Sequence, residues 1–221
     1  MNLAQRLRVY FVVDPEIVGD PLGVTEQAIS GGVTAVQLRM KNATTREFLR
    51  VGESLRDRCN HHDVLFFVND RLDVAMALGA DGIHLGPHDL PVDVAARLAP
   101  HLIVGGSAGS VETARALERS GAHYLGCGAI YEARTVKPDA SAPRGLDFVR
   151  AVAGAVSIPF VGIGGITAAT AADVVRCGAA GVATVREIGA SEDPAAAAEA
   201  LAASVRAGLD SAGAIVYDRR P

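Results

Sequence analysis

The sequence predicts an α/β protein, a single (β/α)8 TIM barrel over residues 1–221, and three observations carry this prediction. Eight short apolar runs alternate with stretches of helical character along the chain. Several helical stretches end in a Gly-Ala pair that leads into the next apolar run. The residues that break the apolar pattern fall at the ends of the runs, where such barrels carry their catalytic groups.

The apolar runs predict eight parallel strands. They cover residues 9–13, 35–38, 64–68, 82–85, 102–105, 123–126, 160–163 and 181–185. Hydrophobic residues make up 49% of the chain and aromatic residues 5%, which predicts an aliphatic core. A doubly wound open sheet is the alternative, but eight regularly spaced units favour closure into a barrel.

Helices are predicted between the runs, most clearly over residues 46–60, 111–120, 168–177 and 194–208. Their predicted starts carry residues that suit N-cap positions, namely Thr44, Ser110 and Asp193. The Gly-Ala pairs begin at Gly79, Gly121 and Gly178. A glycine after a helix can take the left-handed conformation that ends it, so these pairs mark predicted helix ends.

Composition and charge argue against several classes of protein. A net charge of −4 disfavours general nucleic-acid binding, which needs a basic face. The three cysteines are isolated and show no zinc-ligand spacing, which predicts free thiols in a reducing compartment. The start of the chain has no apolar targeting segment, and no stretch is long enough to span a bilayer. We therefore expect a soluble cytoplasmic protein that binds small molecules, with homo-oligomerisation left open.

A polar ladder follows the second run. Gln37, Arg39 and Lys41 alternate with apolar residues and would share one face of an extended segment. An unpaired cation on the inner side of a buried strand is costly, so an anionic ligand is the expected partner.

Two carboxylates at the ends of the next two runs predict a metal site. Asp70 follows Asn69 at the end of the third run, and Asp89 follows the fourth. Taken alone, Asn69 and Asp70 are more typical of a helix N-cap than of a metal site. With Asp89 nearby, the pair provides the one or two carboxylates with which proteins hold Mg²⁺. His84, within the fourth run, is weaker evidence, because such a histidine is often a hydrogen-bonded interior residue.

A second anion site is predicted after the seventh and eighth runs. Gly164 and Gly165 form a glycine-rich turn before a helix, where backbone amides can hold a phosphate. A tight turn that needs glycine for geometry alone is the alternative. Residues 181–188 would supply the second wall, with Val185 at the strand end and Arg186 able to add charge.

The segment 128–139 predicts a long loop over the same rim, and Ser107 follows the fifth run. The loop carries Thr135 and Lys137 among its hydroxyl and cationic donors. It is either a solvated surface loop or a lid that excludes water from a reactive intermediate. Two facing anion sites, one of them with a metal, suggest a transferase that releases pyrophosphate.

Five phrases, in order and correctly spaced, resemble the thiamine phosphate synthase family. They are Gln37-Leu38-Arg39-Met40-Lys41, Asn69-Asp70, Ala80-Asp81-Gly82-Ile83-His84-Leu85-Gly86 with Asp89, Gly106-Ser107-Ala108, and Gly162-Ile163-Gly164-Gly165-Ile166. The resemblance implies transfer of hydroxymethylpyrimidine from its diphosphate to hydroxyethylthiazole phosphate. Pyrophosphate leaves first in that family, and the thiazole nitrogen then captures the resulting pyrimidine-stabilised cation.

The resemblance also implies a role for each matching residue. The diphosphate would bind Arg39, Lys41, Asn69 and Lys137, and Gln37 and Ser107 would lie near the reacting centre. Asp70 and Asp89 match the Mg²⁺ ligands of the family. Thr135 falls in the loop that the family uses for the thiazole phosphate, and Gly165 falls in its glycine cradle.

Three positions depart from the family pattern, and two rival functions stay open. Pro87 stands where the family has Gln, Glu132-Ala133 follows Tyr131, and Arg186-Glu187 replaces a Ser-Ala pair. One rival is a thiazole tautomerase, whose branch tends to lack the Asn-Asp pair and the second aspartate. The other rival is a non-catalytic protein that binds phosphorylated ligands.

Overall fold

A computed structural model describes residues 2–132 and 142–212, and these residues form a closed barrel of eight parallel strands. The strands are β1 (Val9–Val13), β2 (Ala35–Leu38), β3 (Leu65–Asn69), β4 (Gly82–Leu85), β5 (Ile103–Ala108), β6 (Tyr124–Gly128), β7 (Phe160–Ile163) and β8 (Gly181–Thr184). Each strand pairs with the next, and β8 closes the ring on β1. The predicted (β/α)8 barrel is therefore confirmed.

Helices lie before, between and after the strands. They are α1 (Leu3–Arg6), α2 (Pro21–Ser30), α3 (Thr45–His61), α4 (Leu72–Leu78), α5 (Val92–Leu98), α6 (Val111–Arg119), α7 (Gly145–Ala153), α8 (Ala171–Arg176), α9 (Arg186–Gly189) and α10 (Pro194–Ala212). The four helices predicted from the sequence correspond to α3, α6, α8 and α10. Helix α8 begins later than predicted because the residues before it form a turn, in which Thr167 N–H donates to Thr170 Oγ1.

The predicted N-caps are confirmed by side-chain hydrogen bonds. The Thr44 hydroxyl accepts from Glu47 N–H while the Glu47 carboxylate accepts from Thr44 N–H, which forms a complete capping box. Ser110 caps α6 through Thr113 N–H, and Asp193 accepts from Ala196 N–H at the start of α10. At the end of α4, Gly79 takes the predicted left-handed conformation, with φ 59°.

Strands β5 and β6 run further than the apolar pattern predicts. Small residues continue the parallel pairing, and Ser107 pairs with Gly126 while Ala108 pairs with Cys127. As a result Ser107 lies within a strand rather than in the loop after it. Its position is fixed by the pairing of β5 with β6.

The buried side chains form two layers. A small cluster fills the inside of the barrel, and a larger one lies between the strands and the helices. The inner cluster consists of Leu7, Tyr10, Ala35, Leu65, Phe67, Tyr124, Val161 and Ala183. The three cysteines are free thiols, with Cys59 and Cys127 buried and Cys177 half-buried. Within residues 2–132 and 142–212, no helix has the length and apolar character needed to cross a membrane.

Candidate active site

A buried ion pair lies at the ends of β1 and β2, on one side of the site. The guanidinium of Arg39 donates to the Asp14 carboxylate, and these side chains are 16% and 4% exposed. Asp14 also accepts from Glu16 N–H, which orients its carboxylate. Asp14 is a partner of Arg39 that was not predicted from the sequence, and the anionic ligand expected beside Arg39 stays a prediction. Arg39 is consequently held rigid at the barrel mouth.

Three charged side chains meet beyond the ends of β2, β3 and β4. Lys41 Nζ lies 3.3 Å from Asp70 Oδ2, and the carboxyl groups of Asp70 and Asp89 are hydrogen-bonded to each other. Burial, together with the hydrogen bond and charge of Asp89, raises the pKa of Asp70 to about 6, against the opposing influence of Lys41. Burial also raises the pKa of Asp89, but the hydrogen bonds from Asp70 and from Gly86 N–H outweigh it and hold that pKa below its usual range.

This carboxylate pair fits a divalent cation. Two acidic groups that face each other repel when both are ionised, and a cation between them removes that cost. Across residues 2–132 and 142–212, no cluster of three or more His, Cys, Asp or Glu side chains could hold a metal. A cation at Asp70 and Asp89 would therefore keep water or substrate oxygens as its other ligands, which is how Mg²⁺ is usually held.

The backbone conformation and its hydrogen bonds fix the positions of both carboxylates. Asp70 adopts φ 65°, a left-handed conformation that is uncommon outside glycine, and its N–H donates to the carbonyl of His84. Arg71 occupies the N-cap position of α4, and no side chain caps that helix. The alternative interpretation of Asn69 and Asp70 as helix caps is therefore wrong. Asp89 is fixed by the N–H of Gly86, at 2.7 Å from its Oδ2.

A small cavity of about 140 Å³, with several polar side chains in a largely apolar lining, occupies the barrel mouth beside the carboxylates. Five of the residues predicted from the sequence line it, namely Gln37, Arg39, Asn69, Ser107 and Val185. Gln37 is 4% exposed and Asn69 9% exposed, so both amides are largely withdrawn from solvent. Gln37 Nε2 donates to Tyr10 Oη, and Ser107 Oγ lies 2.9 Å from His84 Nε2. These bonds hold two polar side chains at fixed positions on the cavity wall.

A second cavity of about 460 Å³ adjoins the first, and both are lined by Ile163, Ala183 and Val185. Its walls are the glycine-rich turn after β7 and the residues after β8, including Gly165 and Arg186. Gly165 has φ 64°, and a Cβ there would lie 2.6 Å from the carbonyl oxygen of Glu132. Glycine is therefore required at this position, and it leaves the backbone accessible to a ligand.

The residue after Arg186 joins the two walls of the larger cavity. Glu187 Oε1 accepts from the N–H of Ala168 at 2.9 Å, while Glu187 N–H donates to Thr184 Oγ1. Glu187 thus braces the start of α9 against the turn after β7. Arg186 is exposed and lines the same cavity.

The structure brings most of the predicted site residues together, with some exceptions. Lys41 lies beside the carboxylates and does not line the small cavity. Thr135 and Lys137 lie outside the described residues. Sequence reasoning missed Tyr10 and Tyr124, whose hydroxyls lie inside the barrel. The signal available was a tyrosine hydroxyl in each of two otherwise apolar strands.

Comparison with known proteins decides the family. A family model described as thiamine monophosphate synthase matches residues 9–188 of the chain. The chain belongs to this family. The thiamine-phosphate synthase of Pyrococcus furiosus is 43% identical over 201 residues, which are 91% of this chain and 96% of that protein. The thiamine-phosphate synthase of Chloroflexus aurantiacus is 50% identical over 182 residues, 82% of this chain and 84% of that protein.

A solved structure extends the similarity to three dimensions. The thiamine phosphate pyrophosphorylase from Pyrococcus furiosus superposes with a TM-score of 0.88 at 39% identity, covering 94% of this chain and all 100% of that one. The resemblance found in the sequence is confirmed, and with it the prediction that the chain is an enzyme of the thiamine phosphate synthase family.

Proposed function

We propose that the protein transfers the hydroxymethylpyrimidine group from its diphosphate to the nitrogen of hydroxyethylthiazole phosphate, which gives thiamine phosphate and pyrophosphate. One observation carries the assignment of this reaction to these residues. A hydrogen-bonded carboxylate pair, Asp70 and Asp89, lies beside Lys41 and next to a cavity that is lined by Arg39. Such a site suits a metal-bound diphosphate better than it suits a nucleophile or a strong base.

The diphosphate would bind at the cationic side of this site. Arg39 and Lys41 would neutralise its oxygens, and Asn69 would donate a hydrogen bond from its amide. Lys137 is assigned to the same group on the family resemblance alone. Mg²⁺ held by Asp70 and Asp89 would supply positive charge to the departing pyrophosphate. Because Asp14 and Asp70 pre-orient the two cations, they would not need to reorganise as the bond to carbon breaks.

The carbon–oxygen bond breaks with its electron pair on pyrophosphate, and the thiazole nitrogen then donates its lone pair to the resulting carbon cation. Gln37 and Ser107 would orient the pyrimidine ring during both steps, since both line the small cavity. No proton has to be removed from either substrate for this bond to form. That agrees with a site built of cations and amides.

The thiazole phosphate would occupy the larger cavity. The exposed backbone at Gly165 and the guanidinium of Arg186 would hold its phosphate, and Val185 would contact its ring between the two cavities. Thr135 is assigned to the same phosphate on the resemblance alone. The shared wall of the two cavities would let the thiazole nitrogen approach the pyrimidine carbon.

The decisive experiment supplies both substrates with Mg²⁺ and identifies the products by mass spectrometry. We expect thiamine phosphate and pyrophosphate in equal amounts. Isomerised thiazole without coupling would support the tautomerase instead, and binding without turnover would support the non-catalytic rival. Asp89→Asn should be inactive, whereas Asp93→Asn, which changes an exposed carboxylate four residues away, should retain activity. We also propose a cytoplasmic location, on the strength of the three free thiols.

A further inference from the structure

A chain of four hydrogen bonds crosses the inside of the barrel and joins two residues of the small cavity. Gln37 Nε2 donates to Tyr10 Oη at 2.9 Å, and Tyr10 Oη lies 2.8 Å from Tyr124 Oη. Tyr124 Oη lies 3.0 Å from His84 Nδ1, and His84 Nε2 lies 2.9 Å from Ser107 Oγ. Both ends of the chain, Gln37 and Ser107, line the cavity, while Tyr124 is completely buried.

Two glycines make room for this chain. A Cβ at Gly105 would lie 2.2 Å from Tyr124 Cε1, and a Cβ at Gly126 would lie 3.0 Å from His84 Cε1. Any larger residue at position 105 would displace the tyrosine ring, so β5 and β6 are shaped around the two aromatic side chains. The rings also stack in a tilted arrangement, with centroids of His84 and Tyr124 5.5 Å apart.

The hydrogen-bond chain has a fixed order of donors and acceptors because each tyrosine hydroxyl carries one proton. Burial raises the pKa of Tyr10 and of Tyr124, so both hydroxyls stay protonated. The Gln37 amide nitrogen can only donate, which makes Tyr10 Oη its acceptor. One order then uses both hydroxyl protons within the chain, with Tyr10 donating to Tyr124 and Tyr124 donating to His84 Nδ1.

That order determines what the cavity presents to a ligand. A neutral His84 that accepts at Nδ1 carries its proton on Nε2 and donates it to Ser107 Oγ. Ser107 then has its own proton left to donate into the cavity. At the other end, one N–H of the Gln37 amide donates to Tyr10, and the carbonyl oxygen of that amide is left to accept.

We propose that Tyr10, Tyr124 and His84 are positioning residues that set the hydrogen-bond polarity of the small cavity, with an acceptor at Gln37 and a donor at Ser107. The inference rests on the proposed function for its ligand. An amino-substituted nitrogen heterocycle offers amino N–H donors beside a ring-nitrogen acceptor, which matches this polarity. The inner tyrosines and the histidine would thereby select the orientation in which the pyrimidine ring binds.

The first test measures the tautomer of His84 in the ligand-free protein by nitrogen NMR of the histidine rings. The His84 signals are assigned by their loss in His84→Gln. We expect a neutral ring with the proton on Nε2, and a shifted Nδ1 signal in Tyr124→Phe. A proton on Nδ1, or on both nitrogens, would overturn the proposed order. This readout needs no substrate, so it stays informative even if the proposed reaction fails.

The second test measures the steady-state kinetics of variants that interrupt the hydrogen-bond chain. Tyr124→Phe should lower kcat about tenfold, the size of one hydrogen bond, and leave the KM for thiazole phosphate unchanged. The double variant Tyr10→Phe with Tyr124→Phe should lower kcat no further than the more damaging single change does. The reason is that either single change already interrupts the hydrogen-bond chain. Multiplying effects would mean that the tyrosines act independently, and would contradict the proposal.

Conservative replacement and a matched control complete the design. His84→Gln keeps a donor near Ser107 and should retain several-fold more activity than His84→Leu. Equal activities for these two variants would show that only ring packing matters. Thr25→Val removes another buried hydroxyl away from the chain and should leave kcat unchanged. Melting temperatures measured alongside identify any variant that fails to fold, and the NMR readout on Tyr10→Phe then tests the proposal in its place.

Discussion

The Arg39 guanidinium is hydrogen-bonded to the Asp14 carboxylate, and both side chains are largely buried at the barrel mouth. The pair forms because Val13 and Leu38, the residues before them, are register partners in the parallel β1–β2 ladder. Desolvating either charge alone is costly, so each residue depends on the other. Arg39 can therefore bind a substrate anion only while it stays paired with Asp14.

We expect Arg39→Met to lower the free energy of unfolding by about 3 kcal/mol or more, because it leaves the Asp14 charge buried and unpaired. Chemical denaturation measures this loss. The double variant Asp14→Asn with Arg39→Met removes both charges and should recover most of the stability. It should not recover turnover, since the cation that we assign to the diphosphate is still missing. Recovery of activity in the double variant would contradict that assignment.

Asp70 should make the protein less stable as pH rises when no metal ion is bound. The pKa of Asp70 in the fold is raised to about 6, so its contribution to stability is present at pH 4 and is lost as pH rises through 6. Asp70→Asn cannot ionise and should be more stable than the parent at pH 8, by about 1 to 3 kcal/mol. Denaturation in the presence of a chelator, at both pH values, measures the difference.

Repeating the denaturation with Mg²⁺ tests whether the ion binds at Asp70. Magnesium should raise the melting temperature of the parent protein at pH 8 and should leave that of Asp70→Asn nearly unchanged. Asp93→Asn, at an exposed site, should respond as the parent does. An equal magnesium response in all three proteins would show that the ion binds elsewhere.

Gly165→Ala should weaken the binding of thiazole phosphate. Its Cβ would collide with the Glu132 carbonyl in a left-handed backbone conformation, so the turn that lines the larger cavity must move. We expect the KM for thiazole phosphate to rise at least about tenfold, with a smaller change in the KM for the pyrimidine diphosphate. Gly154→Ala is the matched control, because its Cβ would meet its nearest neighbour at 3.7 Å. Similar rises for both substrates would argue against two separate subsites.

Thr25→Val should stabilise the fold. Thr25 is fully buried, and its hydroxyl has no hydrogen-bond partner among the described residues. Valine keeps the shape and removes the unsatisfied polar atom, so we expect a gain of about 1 kcal/mol in the free energy of unfolding. Thermal denaturation measures it, and a loss of stability would mean that the hydroxyl does have a partner in solution.

The barrel could be predicted from the sequence because its strands are apolar runs bounded by glycine and polar residues. The run at 82–85 matches β4 at both ends. The extension of β5 through Ser107 was missed, since glycine and serine carry no strand signal of their own and are held by the pairing with β6. Local pattern therefore located the elements, and neighbouring strands set their ends.

The candidate site was predicted less completely, for a related reason. Asp70 and Asp89 could be selected from the sequence because each is a carboxylate that follows a predicted strand. Side-chain pairing between distant strands was not readable, because Tyr10 and Tyr124 are 114 positions apart and meet only when the barrel closes. The Asp14 partner of Arg39 was missed likewise, since it depends on the register of two strands rather than on either segment alone.

The most direct measurement follows turnover and thiazole phosphate affinity in the same Asp70→Asn protein. Calorimetry gives the affinity, and pyrophosphate release with both substrates and Mg²⁺ gives the turnover. Our account predicts that turnover falls by at least about a hundredfold while the Kd for thiazole phosphate changes less than about twofold. Undiminished pyrophosphate release, or an equal loss of turnover and affinity, would contradict it.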